Sequence, residues 1–188
     1  MYAAVLDACV LVPNALCDTL LRLAEAGFYR PLWSVQILGE VEDALLIIRP
    51  DLIPDRVRRR LDLMSSTFQD ANVSGWEAVA AGLDLPDSND RHVLAAAVVG
   101  GAQAIVTFNL RDFPASALEG RGIEARHPDE FLLDQLDLFP SRLVEVLVDQ
   151  AAELRAPTTD VAGVLNHLAR CGVPGFVEAV RRIASEDL

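Results

Sequence analysis

Up to about residue 139 the chain alternates short apolar runs with longer stretches whose apolar positions recur at helical spacing; beyond that point only the helical spacing remains. Ala3-Ala4-Val5-Leu6 predicts a short strand closed by Asp7. Asn14 is placed to cap a helix running to about Ala26, with Leu16, Leu20, Leu23 and Ala24 on one face and Gly27 as its stop. Arg30-Pro31-Leu32-Trp33 reads as a second extended piece, and Ser34 as the N-cap of the next helix. The apolar face of that helix is Ile37, Leu38, Val41, Ala44, Leu45 and Ile48. At about 100° per residue, Glu40 and Glu42 both fall on its flanks, so periodicity leaves the two equivalent. After a break at Pro50 to Pro54, a helix to about Phe68 turns Val57, Leu61, Met64 and Phe68 inward. Asn72-Val73 reads as a brief strand, and Trp76 to Gly82 as one or two helical turns.

The stretch from Leu85 to Pro114 organises the rest. Acids cluster at a helix start, Asp87-Ser88-Asn89-Asp90; the apolar run Val93 to Val99 follows and stops at Gly100-Gly101. Asp87 is placed as the cap, and Asp90 in the first turn, where the helix dipole favours its ionised form. Ala104-Ile105-Val106-Thr107 predicts a buried strand, followed by the polar loop Asn109-Leu110-Arg111-Asp112. Gly122 to Arg126 predicts a last strand, and Pro128 opens a helix through Leu136. Such alternation specifies an α/β fold, a parallel sheet flanked by helices. Three further helices follow. The first spans about Pro140 to Leu154 with Leu143, Leu147 and Leu154 aligned; the second runs from Asp160 to Cys171, capped around Thr159. The third starts near Pro174 and carries Phe176, Val177, Val180 and Ile183. These aligned apolar positions serve either packing on the core or docking of a partner. The expected division is a core at 1–131 and a C-terminal helical extension at 132–188.

Composition narrows the function. With 28 acidic against 16 basic residues the formal net charge is −12, which argues against a general, charge-driven nucleic-acid binder. It leaves room for an enzyme that holds a phosphodiester through metal ions and a local basic rim. Every basic residue except the histidines is arginine, so mechanisms needing a catalytic lysine are excluded. Arg56, Arg58, Arg59 and Arg60 form the one dense basic patch, suited to gripping RNA phosphates. No apolar run is long enough to span a membrane, the N-terminus lacks signal-peptide features, and Cys9, Cys17 and Cys171 form no disulfide framework. A reduced cytoplasmic protein is expected.

The acids at predicted strand ends and helix starts are Asp7, Glu40 or Glu42, Asp87, Asp90 and Asp112. Carboxylates converging in one crevice repel one another unless a cation sits among them, and hard Mg²⁺ or Mn²⁺ prefers such oxygen ligands. An ion there can polarise a phosphodiester and lower the pKa of a bound water. Four pieces, VLDACVLVP (5–13), SVQILGEVEDAL (34–45), LPDSNDRHVLAAA (85–97) and VTFNLRDFP (106–114), resemble PIN-domain ribonucleases of the VapC toxin type. The resemblance spans roughly residues 3–131. It implies a PIN-like parallel sheet and a nuclease domain at 1–131. It also implies Asp7, Glu40, Asp90 and Asp112 as catalytic and metal-binding acids, with Asp87, Thr107 and Asn109 in support. Glu40 is thereby preferred over Glu42. The implied activity is that of an endoribonuclease dependent on Mg²⁺ or Mn²⁺. The implied associations are a homodimer and a protein antitoxin.

Rival readings lack residues. A dehalogenase-type phosphatase needs a second aspartate where Cys9 stands, a receiver domain needs a lysine, and no GxGxxG follows a strand. His92, His127 and His167 show no zinc spacing and read as structural or exposed; Cys9 reads as a packed small residue. The alternative from another class is a non-catalytic PIN module that binds RNA or a partner.

Overall fold

A computed structural model describes residues 1–153 and 160–186, so the expectations for Leu154 and Thr159 lie outside the described residues. By its contacts the chain divides into two compact units. The first comprises residues 1–12 and 29–126, the second residues 13–28 and 127–188.

The first unit holds β1 (Ala3–Leu6), the short α1 (Ala8–Leu11), β2 (Arg30–Ser34), α3 (Val35–Ile48), α4 (Pro54–Thr67), β3 (Asn72–Val73), α5 (Glu77–Ala80), α6 (Arg91–Gly100), β4 (Ala104–Val106), α7 (Ala115–Leu118) and β5 (Glu124–Arg126). The second holds α2 (Asn14–Glu25), α8 (Pro128–Leu138), α9 (Pro140–Glu153), α10 (Val161–Arg170) and α11 (Pro174–Glu186). All five strands run parallel in the order β3-β2-β1-β4-β5. Strand order reverses at β1: the chain builds outward through β2 and β3, then returns to lay β4 and β5 on the other side. In such sheets the crevice at the reversal point, beyond the carboxyl ends of the strands, is where ligands bind. Leu6 pairs with Val106, which sets Asp7 and Thr107 side by side at that point.

Strand β1 is buried along its whole length, which fits a central parallel strand covered on both faces. Helix α6 lies against β1, β2, β3 and β4, and its Ala95, Ala96 and Ala97 are fully buried. Those small side chains let the helix axis approach the sheet closely. Gly101 then terminates α6 in the left-handed conformation, φ 66°. The closest approach is at Gly100, where an added Cβ would lie 2.8 Å from Leu32 Cδ1 and 3.0 Å from Val73 Cγ2. Leu32 is itself buried and cannot swing away. Gly100→Val should therefore destabilise the protein by about 1–3 kcal/mol through overpacking. The expected result is a lower urea midpoint with an unchanged slope; a midpoint equal to wild type would contradict this packing.

Three local expectations change. Asn14 is the first residue of α2 rather than its cap, because Pro13 precedes it in extended backbone. Asp7 does more than close a strand: its carboxylate accepts from Ala8 N and starts α1. Ile48, expected on the inner face of α3, is 63% exposed. It ends the last turn of α3, where Ile47 and the following residues 49–51 are also exposed, so among the described residues no element covers that turn.

In the second unit α2 packs against α9 and α10, α8 against α9 and α11, and α10 against α9 and α11. Leu16, Leu20, Leu143, Leu147, Leu168 and Phe176 are completely buried. A polar seam runs beneath them: Thr19 donates to Gln150, Gln150 donates to Asp18, and Arg22 bridges Asp18 and Glu153. Asp129 of α8 accepts from the backbone of Gly175 and Phe176 and so caps α11 from another helix. Asp160 caps α10 by accepting from Gly163 N.

Candidate active site

Asp7 sits at the end of β1 with 6% of its surface exposed, and its backbone N–H donates to Val106 O at 3.1 Å. Both carboxylate oxygens have partners. Oδ1 accepts from Ala8 N at 2.7 Å; Oδ2 accepts from Thr107 Oγ1 at 2.6 Å and from Cys9 Sγ at 3.1 Å. Thr107 is fully buried, and its Oγ1 also accepts from Asn109 N at 3.0 Å, so one hydroxyl ties Asp7 to the loop after β4. These bonds fix the direction of the Asp7 carboxylate.

Cys9 is walled in by the same network, since its Sγ accepts from Phe108 N. Burial first, and the Asp7 charge second, push its thiol up to about 12. A thiol that does not ionise near neutrality is no nucleophile, in line with its reading as a packed small residue.

Tertiary packing separates the two glutamates that periodicity left equivalent. Glu42 pairs with Arg58 of α4 at 2.7 Å on the surface. Glu40 Oε1 lies 2.8 Å from His92 Nε2, and its carboxyl also hydrogen-bonds Gln36 one turn back on α3. Burial, and then the charge of Asp7, raise the Glu40 carboxyl above its ordinary value. Glu40 is thus the glutamate that feels Asp7.

Asp90 ends a 3-10 turn, Ser88–Asp90, that leads into α6, and Asp87 caps that turn by accepting from Asn89 N. The carboxyl of Asp90 is pushed up from 3.8 to about 6, by burial first and then by Asp112, Asp7, Asp87 and Glu40. The helix dipole was expected to keep it ionised. That contribution is about 0.3–1 kcal/mol, less than the ~1.4 kcal/mol of one pKa unit. Burial and like charge outweigh it.

Asp112 lies in the 3-10 turn Leu110–Asp112 and is the strongest of the charges acting on Asp90. Asn109 is exposed, with its backbone held by Thr107. The structure therefore brings Asp7, Glu40, Asp87 and Asp112 within electrostatic reach of Asp90, Glu40 within reach of Asp7, and Thr107 into direct contact with Asp7. His92 was not singled out as functional by its spacing. Its one legible signal was a polar residue, two after Asp90, within an otherwise apolar helix face.

Among the described residues no group of three or more His, Cys, Asp or Glu side chains forms a ready-made cage for a metal ion. The donor set is all oxygen and mutually repelling, which suits a hard ion rather than zinc. Mg²⁺ typically uses only one or two carboxylates and keeps its waters, so an open cluster of this kind fits it.

A pH dependence follows. The proton on Asp90 must leave before the carboxylate can take a cation, so Mn²⁺ affinity should rise as pH climbs through about 6. In the metal-free protein the sign for stability is opposite. The folded state holds a proton that the unfolded chain releases near 3.8, so stability should fall between about pH 4 and 6. Calorimetric Mn²⁺ titrations at pH 5, 6 and 7 test the first statement; a flat affinity would contradict it.

Comparison with known proteins matches residues 3–111 to the PIN domain and residues 128–182 to the VapC50 C-terminal domain. One relative is the Mycobacterium tuberculosis protein named "Putative ribonuclease VapC50". It is 44% identical over 94 residues, which cover 50% of this chain and 55% of that protein. The chain thus spans about half the length of the curated relative it matches. No solved structure matches the chain. None of the described helices is long and apolar enough to cross a membrane.

Proposed function

Because the chain belongs to the PIN-domain family, we propose that it is an endoribonuclease dependent on Mg²⁺ or Mn²⁺ and acts as the toxin of a toxin–antitoxin pair. The observation that carries this reading is the electrostatic coupling of Asp7, Glu40, Asp112 and Asp87 to one carboxyl, Asp90. Repulsion of that kind is relieved by a cation. Asp7, Glu40, Asp90 and Asp112 would hold the ion, which would polarise the scissile phosphodiester and lower the pKa of a bound water. Thr107 and the Ala8 amide hold the Asp7 oxygens in place, and Asp87 fixes the turn that presents Asp90. Asn109 sits at the mouth of the same loop. The exposed arginines of α4, Arg56 and Arg59, offer forks for RNA phosphates, while Arg58 is engaged by Glu42. All the proposed site residues lie within 1–131, the proposed nuclease domain, with 132–188 as its helical extension.

The proposed partners are a second copy of the chain and an antitoxin. A basic side chain inserted among the four acids would form charge-assisted hydrogen bonds and exclude the metal. Leu143, Leu147, Phe176 and Val180 are not where such a partner docks, because all four are buried among the helices of the second unit. The test of the enzymatic reading is incubation of the purified protein with total RNA in Mg²⁺, in Mn²⁺ and in EDTA, with the cut ends mapped. Discrete cuts that require the metal are expected. Absence of cleavage, or cleavage that persists in EDTA, overturns it.

A further inference from the structure

Three observations on His92 stand apart from the site as described so far. Its side chain is 3% exposed, although it lies on the helix that carries Asp90 into the crevice. Its Nε2 is 2.8 Å from Glu40 Oε1, which links α6 to α3. Its ring is packed against Trp76, centroid to centroid 5.9 Å. A proton on Nε2 is what makes so short an approach to a carboxylate oxygen favourable, whatever the charge of the ring. Nδ1 is buried with no hydrogen-bond partner, so the ring is anchored through Nε2 and the Trp76 contact.

We infer that His92 is a positioning residue that aims the Glu40 carboxylate at Asp7 and Asp90. The inference deepens the endoribonuclease reading and rests on it. Glu40 is a long side chain, 41% exposed, on the flank of α3. Its other partner, Gln36, is an exposed residue one turn back on the same helix, and with that partner alone Glu40 would sample several rotamers and meet a cation only after losing that freedom. A buried N–H donor removes the freedom in advance. The donor itself is held in place: its backbone is in α6, which packs against β1, β2, β3 and β4, and Trp76 packs against its ring. Hydrogen-bonding partners behind a ligating carboxylate commonly contribute 10–100-fold in metal affinity or activity.

The experiment uses the full chain and reads Mn²⁺ binding by electron paramagnetic resonance alongside RNA cleavage. His92→Phe keeps the ring volume and removes the donor; His92→Gln keeps a donor. His92→Phe is expected to weaken Mn²⁺ binding about tenfold or more, with His92→Gln recovering most of the loss. The decisive readout is coupling. In a Glu40→Ala background, His92→Phe should add little further loss, because a residue acting through Glu40 has nothing left to position. Equal Mn²⁺ binding by wild type and His92→Phe, or losses that simply add, would overturn the positioning role while leaving the nuclease reading intact. Should His92→Phe fail to fold, His92→Leu, smaller and equally without a donor, carries the same comparison with and without Glu40→Ala. If wild type itself neither binds Mn²⁺ nor cleaves RNA, the endoribonuclease reading fails and this inference falls with it.

Discussion

Asp7→Asn is expected to abolish metal-dependent RNA cleavage while the protein stays folded. The fold should survive because asparagine keeps an oxygen for the Ala8 amide and can donate its own amide to Thr107 Oγ1, reversing the present bond. What it cannot keep is the charge. A metal-bound transition state is stabilised by several kcal/mol, and a loss of about 4 kcal/mol corresponds to roughly a thousandfold in rate. The substitution has a second, independent signature. Asp7 is among the charges that raise Asp90, so removing it should bring the Asp90 carboxyl down from about 6. Observing that shift by NMR titration would show the variant intact around the crevice. Equal cleavage by wild type and Asp7→Asn, in preparations free of contaminating nuclease, would sink the enzymatic reading and favour a module that only binds.

Glu40→Ala should lower cleavage on the order of a hundredfold, at the upper end of the cost of disturbing a metal's surroundings. Glu42→Ala should stay within about twofold of wild type. The difference follows from their partners. Glu42 pairs with Arg58, whose side chain is 59% exposed, and such surface pairs contribute about 0–1 kcal/mol. Glu40 instead feels the charge of Asp7 and lies 2.8 Å from Nε2 of His92, a buried donor. Truncating Glu40 leaves that donor without its acceptor, at a cost of about 1–3 kcal/mol in stability, so melting curves belong beside the rates. If Glu42→Ala loses activity and Glu40→Ala keeps it, Glu40 is not the helix acid of the site.

Much of this was legible along the chain because the relevant signals are local. Strand β1 is a continuous apolar run, Ser34 caps α3 by accepting from Ile37 N, and Gly101 ends α6 in a left-handed turn; each needs only neighbouring residues. The parallel α/β architecture follows from the alternation of those pieces. Asp7, Asp90 and Asp112 were legible as candidates because acids at strand ends and helix starts occupy predictable places in such a sheet. Other features depended on residues far apart in sequence. Glu40 and Glu42 lie on opposite flanks of α3, equally far from the centre of its apolar face, and only the packing of α4 on one side and α6 on the other gives them different partners. The upward shift of Asp90 is invisible to local structure, because burial comes first among its causes and the charges of Asp112, Asp7 and Glu40 reach it from other segments. His92 looks unremarkable between Arg91 and Val93 until α3 is laid beside it. Helix α2, an early segment, groups with helices more than a hundred residues later because its Leu16, Leu20 and Leu23 need an apolar surface that the late helices supply. Periodicity states which face a helix must bury; the partner that buries it, and the charges brought near its edges, are fixed only when the chain closes on itself.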